Sequence, residues 1–298
     1  MMESEIQDVN PAEMSGLTNE MRISSLKKPD NFFVEHKHMH EFYEMFDAIR
    51  LQGRRIRTTS MTVVAPSGGG KTTNAEAYIE RRGLLSVRVG GVITRPAVVV
   101  HMPAATRPAA YSERILKTYK EPRPERGTTS QKQHRVFDVL EKAKTQLVFI
   151  DEIHHVLGYG GTSSQELMLN VLKDVANECQ IPFILMGTER AREVISLNEE
   201  VKVRFPIFEL NPFPEITRDF REFLAGFESM LPLKKASDIA NNKKAVTEIY
   251  NFTEGLIVNV SALIRGAAIT SIRSGSERIG LKEINEGKRL VEKNLVLK

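Results

Sequence analysis

The sequence predicts an α/β domain built on a parallel sheet, followed by a smaller all-helical subdomain. Three observations carry this. Four short apolar runs that do not alternate are separated by helical patterns. The first of them enters a glycine-rich turn that opens a helix. After about residue 212 the strand-like runs stop and only helical periodicity remains.

Residues 1 to about 30 show no sustained period and read as a mobile arm. Phe42, Met45, Phe46 and Ile49, with Met39 one turn earlier, then sit at helical spacing and predict one or two helices before residue 50. His36, His38 and His40 lie on this stretch. The simpler account is a helix that happens to carry histidines, because no further ligand is near. The apolar runs are MTVVA (61–65), AVVVHM (97–102), LVFID (147–151) and FILMG (183–187). Such runs suit strands buried on both faces of a parallel sheet. Between them, Val136, Val139, Leu140 and Ala143 mark one helix face, and Met168, Val171, Leu172, Val175 and Cys179 another. Strand and helix alternating in this way build a layered domain with right-handed crossovers. Beyond the proline-punctuated NPFPEI, Phe220, Phe223, Leu224 and Phe227 open a series of helices to the end of the chain. The expected partition is 1–50 for an N-terminal arm and helices, 51–212 for the α/β domain, and 213–298 for the helical subdomain.

Composition narrows the class. Of the 298 residues, 41% are hydrophobic and 27% charged, which is ordinary for a globular protein, and the net charge is only +4. No run approaches the roughly 20 apolar residues a membrane span requires. The opening MMESEIQDVNPAEMSG is acidic and polar, unlike a secretory leader. Cys179 is the sole cysteine, which excludes an internal disulfide and a cysteine-clustered zinc site. A reduced cytoplasm is the expected compartment.

The segment APSGGGKTT (65–73) is the strongest local signal. Gly70, Lys71 and Thr72 match the end of the phosphate-loop pattern, although Ala65 stands where the strict pattern has glycine. Gly68, Gly69 and Gly70 let the backbone curl so that successive N–H groups point inward, with Pro66, Ser67 and Thr73 completing the cradle. The helix beginning near Lys71 adds the positive end of its dipole. Lys71 can reach the terminal phosphates of ATP, and the Thr72 hydroxyl can hold Mg²⁺. LVFIDE supplies the second part: Asp151 for Mg²⁺ and Glu152 to orient and deprotonate an attacking water. DEIHH also crowds His154 and His155 beside these carboxylates. Adjacent histidines are expected to point apart, so a metal-hydrolase site is not expected. Thr188, at the tip of FILMGT, is the candidate sensor of the third phosphate. Arg204 is the candidate finger for a neighbouring subunit's nucleotide, with Arg190 and Arg192 as rivals.

With these pieces in place the chain resembles the AAA+ ATPases and, more narrowly, the TniB/TnsC family of transposition regulators. The residues that carry the resemblance are APSGGGKTT, FIDEIHHVL, NVLKDVANECQIPFILMGTERAREVI and VRFPIFELNPF, within roughly residues 32 to 270. The resemblance implies a P-loop three-layer sandwich with a small helical lid, ATP and Mg²⁺ as cofactors, and assembly as rings or filaments on double-stranded DNA. It also implies a link between a TniQ-type targeting partner and a DDE transposase, with no DNA cleavage by this chain. Lys71, Thr72, Asp151 and Glu152 carry over as the ATP site, Thr188 as the first sensor and Arg204 as the finger. The chain departs from the family pattern in the lid, where EGLIVNVSALIR offers no arginine before Arg265.

Backbone-tracking DNA binding needs a few cations per subunit when many subunits add up. MPAATRP resembles the family's DNA-facing loop and offers Thr106 and Arg107. The basic segment 119–135 offers Lys120, Arg123, Arg126, Lys132 and Arg135 against Glu121 and Glu125. GRRIRTT (53–59) is a candidate subunit interface. The alternatives are a replication-initiator or helicase-loader ATPase, a signalling ATPase that does not act on DNA, and a small-molecule kinase.

Overall fold

The computed structural model describes residues 17–28, 32–53, 59–89, 92–104, 107–158, 160–210 and 213–293. In chain order the elements begin with α1 (Asn19–Leu26), α2 (Lys37–Arg50), β1 (Met61–Val64) and α3 (Lys71–Arg81). A hairpin follows, β2 (Val87–Val89) and β3 (Val92–Thr94), then β4 (Ala97–His101), α4 (Pro108–Thr118), α5 (Thr129–Lys142) and β5 (Leu147–Asp151). After a 3-10 turn over Ile153–Gly158 come α6 (Thr162–Cys179), β6 (Phe183–Gly187), α7 (Arg190–Ser196), α8 (Glu199–Arg204) and β7 (Ile207–Glu209). The chain closes with α9 (Arg218–Ser229), α10 (Lys243–Thr253), α11 (Ile257–Ser274) and α12 (Leu281–Glu292). No described helix is long and apolar enough to cross a membrane.

The chain forms two compact units, one from Glu41–Leu210 and one from Met1–His40 with Asn211–Lys298. The first is the α/β domain. Its sheet runs β4-β5-β6-β1-β7, with every neighbouring pair parallel. The four apolar runs are its four inner or long strands, and β1, β5 and β6 are buried along their whole length. Side chains buried on both faces explain why these strands do not alternate. The predicted stripes on α5 and α6 face one core with Val98, Val100, Val148 and Ile150. Phe46 of α2, Tyr78 of α3 and Phe149 of β5 pack edge to face, with centroids 5.1 to 6.0 Å apart. Tyr78 Oη then donates to Asp47 Oδ1 at 2.8 Å, which gives the buried phenol its partner. The β2–β3 hairpin has no counterpart among the apolar runs, and its Val87, Arg88 and Ile93 are exposed.

The second unit is helical and corrects the expectation of a mobile arm. Residues 1–16 lie outside the described residues, but α1 is packed. Leu26 is buried against α9 to α12. Arg22 is buried and donates to both Glu277 oxygens at 2.7 Å, to Pro232 O at 2.9 Å and to Asn19 Oδ1 at 2.6 Å. The described residues before residue 40 thus group with the C-terminal helices rather than with a separate N-terminal part. One arginine and one leucine far apart in sequence from their partners leave no periodic trace. Within this unit α11 and α12 approach closely at Gly287. A Cβ there would lie 2.8 Å from Ala267 N and 3.0 Å from Leu263 O.

Candidate nucleotide site

The site forms at the carboxyl ends of β1, β5 and β6, where parallel strands deliver their loops to one rim. Beyond β1, Ala65 N donates to Gly187 O at 3.1 Å, tying the loop to the tip of β6. The loop turns at Gly68 (φ 76°) and Gly70 (φ 86°), both left-handed, and Gly69 N closes on Pro66 O at 3.0 Å. A Cβ at Gly69 would lie 3.0 Å from Pro66 O and 3.1 Å from Ala65 Cβ. Gly70 caps α3 and offers no side-chain acceptor, so the first amides of that helix lack a cap from the chain. Ser67 and Thr73 are exposed on the rim of the cradle.

Lys71 is buried and its Nζ donates to Ala65 O at 3.0 Å and Pro66 O at 3.1 Å, folded into its own loop. Burial lowers its pKa, opposed by the charges of Glu152 and Asp151. Thr72 Oγ1 donates to Asp151 Oδ2 at 2.5 Å. Asp151 is buried, and its other oxygen accepts from Glu152 N at 2.9 Å. A hydroxyl and a carboxylate held together beside a lysine and uncapped helix amides is a donor set that fits Mg²⁺ and a polyphosphate.

Glu152 has φ 60°, a left-handed conformation that costs a non-glycine residue roughly 1 to 2 kcal/mol. It redirects the chain from β5 into the 3-10 turn, and its O accepts from His155 N at 3.0 Å. The expectation that His154 and His155 diverge is not met. In the tight turn, ligand atoms of Glu152, His154 and His155 lie within 4.8 Å of one another. His154 Nδ1 approaches Glu152 Oε2 at 3.1 Å without hydrogen-bond alignment, so the contact is electrostatic. Burial lowers the His154 pKa against the pull of Glu152, and His155, Arg190 and Lys71 depress it further. His155 Nδ1 lies 3.1 Å from Met102 O, and a carbonyl can only accept, so this nitrogen carries the proton.

Thr188 is half-buried directly after β6, the strand between β5 and β1, and so stands between the carboxylates and the glycine loop. Two of the three arginines weighed as fingers are placed near this rim. Arg190 opens α7 beside His154, while Arg192 is tied to Glu189 at 2.8 Å and to Glu209. Arg204 is not brought to the site. It ends α8 just before Phe205 and Pro206, whose carbonyls accept from Thr62 at the start of β1. That is the opposite end of the strands, about 13 Å away for four residues. His101 was not anticipated. Its Nδ1 lies 3.3 Å from Asp151 Oδ2 because β4 and β5 pair with His101 opposite Asp151. Parallel register has no sequence signature, so nothing in the linear pattern pointed to it. Arg265, the lid arginine, is buried within the helical unit and donates to Ser261 O and Leu26 O.

The DNA candidates divide. Thr106 lies outside the described residues. Arg107 is exposed at the N-cap of α4. Lys132 is buried and donates to Glu113 Oε1 at 2.6 Å, so it is not free for phosphate. Arg135 donates to the carbonyls of Pro122, Arg123 and Arg126 at 2.6, 3.0 and 3.2 Å, and is likewise engaged. Both corrections have one cause: a helix face that is basic in sequence packs against α4 and its loop. Of GRRIRTT, residues 54–58 lie outside the described residues.

The family described as "Bacterial TniB protein" matches residues 22–215, about two-thirds of the chain. No curated protein matches. Among solved structures, the Aeropyrum pernix ORC1 protein in complex with DNA is similar with TM-score 0.62 and 16% identity, covering 91% of this chain and 69% of that one. CDC6p from Pyrobaculum aerophilum gives TM-score 0.64 and 13% identity, covering 90% and 71%. Drosophila ORC bound to DNA gives TM-score 0.56 and 12% identity, covering 99% and 71%.

Proposed function

The chain belongs to the bacterial TniB protein family and has the fold of the AAA+ ATPases, and we propose that it is an ATP-dependent regulator of transposition that assembles on double-stranded DNA. The observation that carries the nucleotide part is the Thr72–Asp151 hydrogen bond beside a glycine loop whose helix amides have no side-chain cap. Gly68 to Thr73 would hold the phosphates of ATP, with Lys71 leaving the carbonyls of Ala65 and Pro66 to meet them. Thr72 and Asp151 would hold Mg²⁺, which when bound neutralises phosphate charge. Glu152 takes the proton of the attacking water, and Thr188 positions that water from the neighbouring strand tip. Arg204 is too far along the strands to serve its own site, which supports a role at a neighbouring copy's nucleotide in a ring or filament.

The DNA part is supported by the TniB membership and by the exposed cations of the α4–α5 region. By the same family resemblance the partners are a TniQ-type targeting protein and a transposase, and the compartment is the cytoplasm. The likeness to ORC and CDC6 proteins favours one alternative, a replication initiator or helicase loader. The test is electron microscopy of the protein on a random-sequence duplex with ATP, a non-hydrolysable analogue, ADP or no nucleotide. Rings or filaments that need ATP and vanish in Lys71→Ala are the expected result. A protein that ignores DNA in every nucleotide state refutes the reading, and binding confined to one replication-origin sequence moves the alternative ahead.

A further inference from the structure

Two features of the α4–α5 hairpin have no part in the nucleotide site. The first is a line of cations. Arg107 caps α4, and Arg114 and Lys117 follow at steps of seven and three residues, which places all three within roughly 80° around the helix. Lys120, Arg123 and Arg126 continue past the end of the helix. All six are exposed, and none forms an ion pair among the described residues. Glu113, the acidic residue of α4, is turned away and neutralised by Lys132.

The second feature is the shape of the loop after α4. Lys120 (φ 56°) and Arg123 (φ 49°) are left-handed, as is Gly127 (φ 99°). Left-handed lysine and arginine are disfavoured, so something must hold them there. Lys120 is held by the end of α4, where Glu121 N donates to Leu116 O at 2.9 Å, and Arg123 is held by Arg135, whose planar guanidinium donates to three carbonyls of the loop. A capping box at Thr128 and Gln131 fixes the start of α5, so the residue that carries this fork is itself anchored.

We propose that Arg107, Arg114, Lys117, Lys120, Arg123 and Arg126 form a preshaped ridge for the sugar–phosphate backbone of duplex DNA, and that Arg135 is the residue positioning its loop half. The inference rests on the DNA-binding reading above and specifies its surface. Helix α4 is about 16 Å long, enough to run beside several phosphates of a duplex that carries one charge per ~1.7 Å. The loop offers no stacking platform for single-stranded bases. Its one aromatic, Tyr119, is turned inward, with its hydroxyl 2.7 Å from Thr145 Oγ1 and the Arg95 guanidinium 5.1 Å over its ring.

The test is anisotropy of a labelled random duplex against salt, with a non-hydrolysable ATP analogue present and nucleotide binding measured as the folding control. Arg123→Glu with Arg126→Glu, and separately Arg114→Glu with Lys117→Glu, are expected to weaken binding by about tenfold or more and to flatten the salt slope by about 2. Arg135→Lys keeps the charge but loses the fork, so it is expected to bind as weakly as Arg135→Ala. Wild-type affinity in Arg135→Lys overturns the positioning role, since charge alone then suffices. A wild type that binds DNA while both double reversals bind equally well overturns the ridge but leaves the DNA reading standing. A wild type that binds in no nucleotide state overturns both.

Discussion

His36 gives the sharpest quantitative test of the helical unit. The side chain is 6% exposed, and both ring nitrogens are buried without a hydrogen bond. The rings of Phe213 and Phe223 lie 5.4 and 6.0 Å away, with His38 at 6.2 Å. Burial first, and then the charges of His38 and His40, pull its pKa from 6.5 to about 4. The unfolded chain therefore binds a proton between these values while the folded chain does not. Stability is complete above pH 6.5 and is lost as pH falls toward 4. At ~1.4 kcal/mol per pH unit the full loss is about 3 kcal/mol. His36→Phe removes the proton site and the two orphaned nitrogens while keeping a ring in the aromatic cage. Urea unfolding followed by far-ultraviolet circular dichroism from pH 7.5 to 4.5 measures the difference between the two proteins. The variant should match or exceed the wild type at pH 7.5, and its advantage should grow by roughly 1 kcal/mol per unit below pH 6. A difference that stays flat across the range refutes the claim that folding holds His36 neutral.

The nucleotide site makes two further predictions. Glu152→Gln should retain ATP binding and lose on the order of 10² or more in turnover, because it keeps the shape but cannot take the proton; unchanged turnover would remove Glu152 as the base. Arg204→Ala alone and Glu152→Gln alone should both be nearly inactive, yet a mixture should recover activity, since one copy supplies the finger and the other the intact site. Failure of the mixture to recover, in oligomers shown by co-purification of differently tagged copies to be mixed, argues against action on a neighbour. In the helical unit, Gly287→Ala should cost about 1 to 3 kcal/mol in thermal or urea unfolding, because the new methyl meets backbone of α11 rather than a movable side chain. A neutral result would mean that α11 and α12 can separate without penalty.

Much of this protein is local and so can be read from the chain. Strands buried on both faces must be continuous apolar runs, which is why β1, β4, β5 and β6 stand out in the sequence. A glycine loop before a lysine-headed helix is legible because only glycine takes φ near 80° cheaply, as at Gly68 and Gly70. Asp151 and Glu152 stand out because two carboxylates directly after four apolar residues are costly unless used. The tertiary structure decided what depends on distance and register. It placed His101 against Asp151 through parallel strand pairing, and it brought His154 to Glu152 through a 3-10 turn entered by a left-handed residue. It tied α1 to the C-terminal helices through Arg22 and Glu277, which are 255 positions apart. It also withdrew Lys132 and Arg135 from the candidate DNA contacts. Composition counts a charge wherever it occurs, but only packing decides whether that charge is left open to a partner or is spent on a carboxylate, as at Lys132, or on three loop carbonyls, as at Arg135.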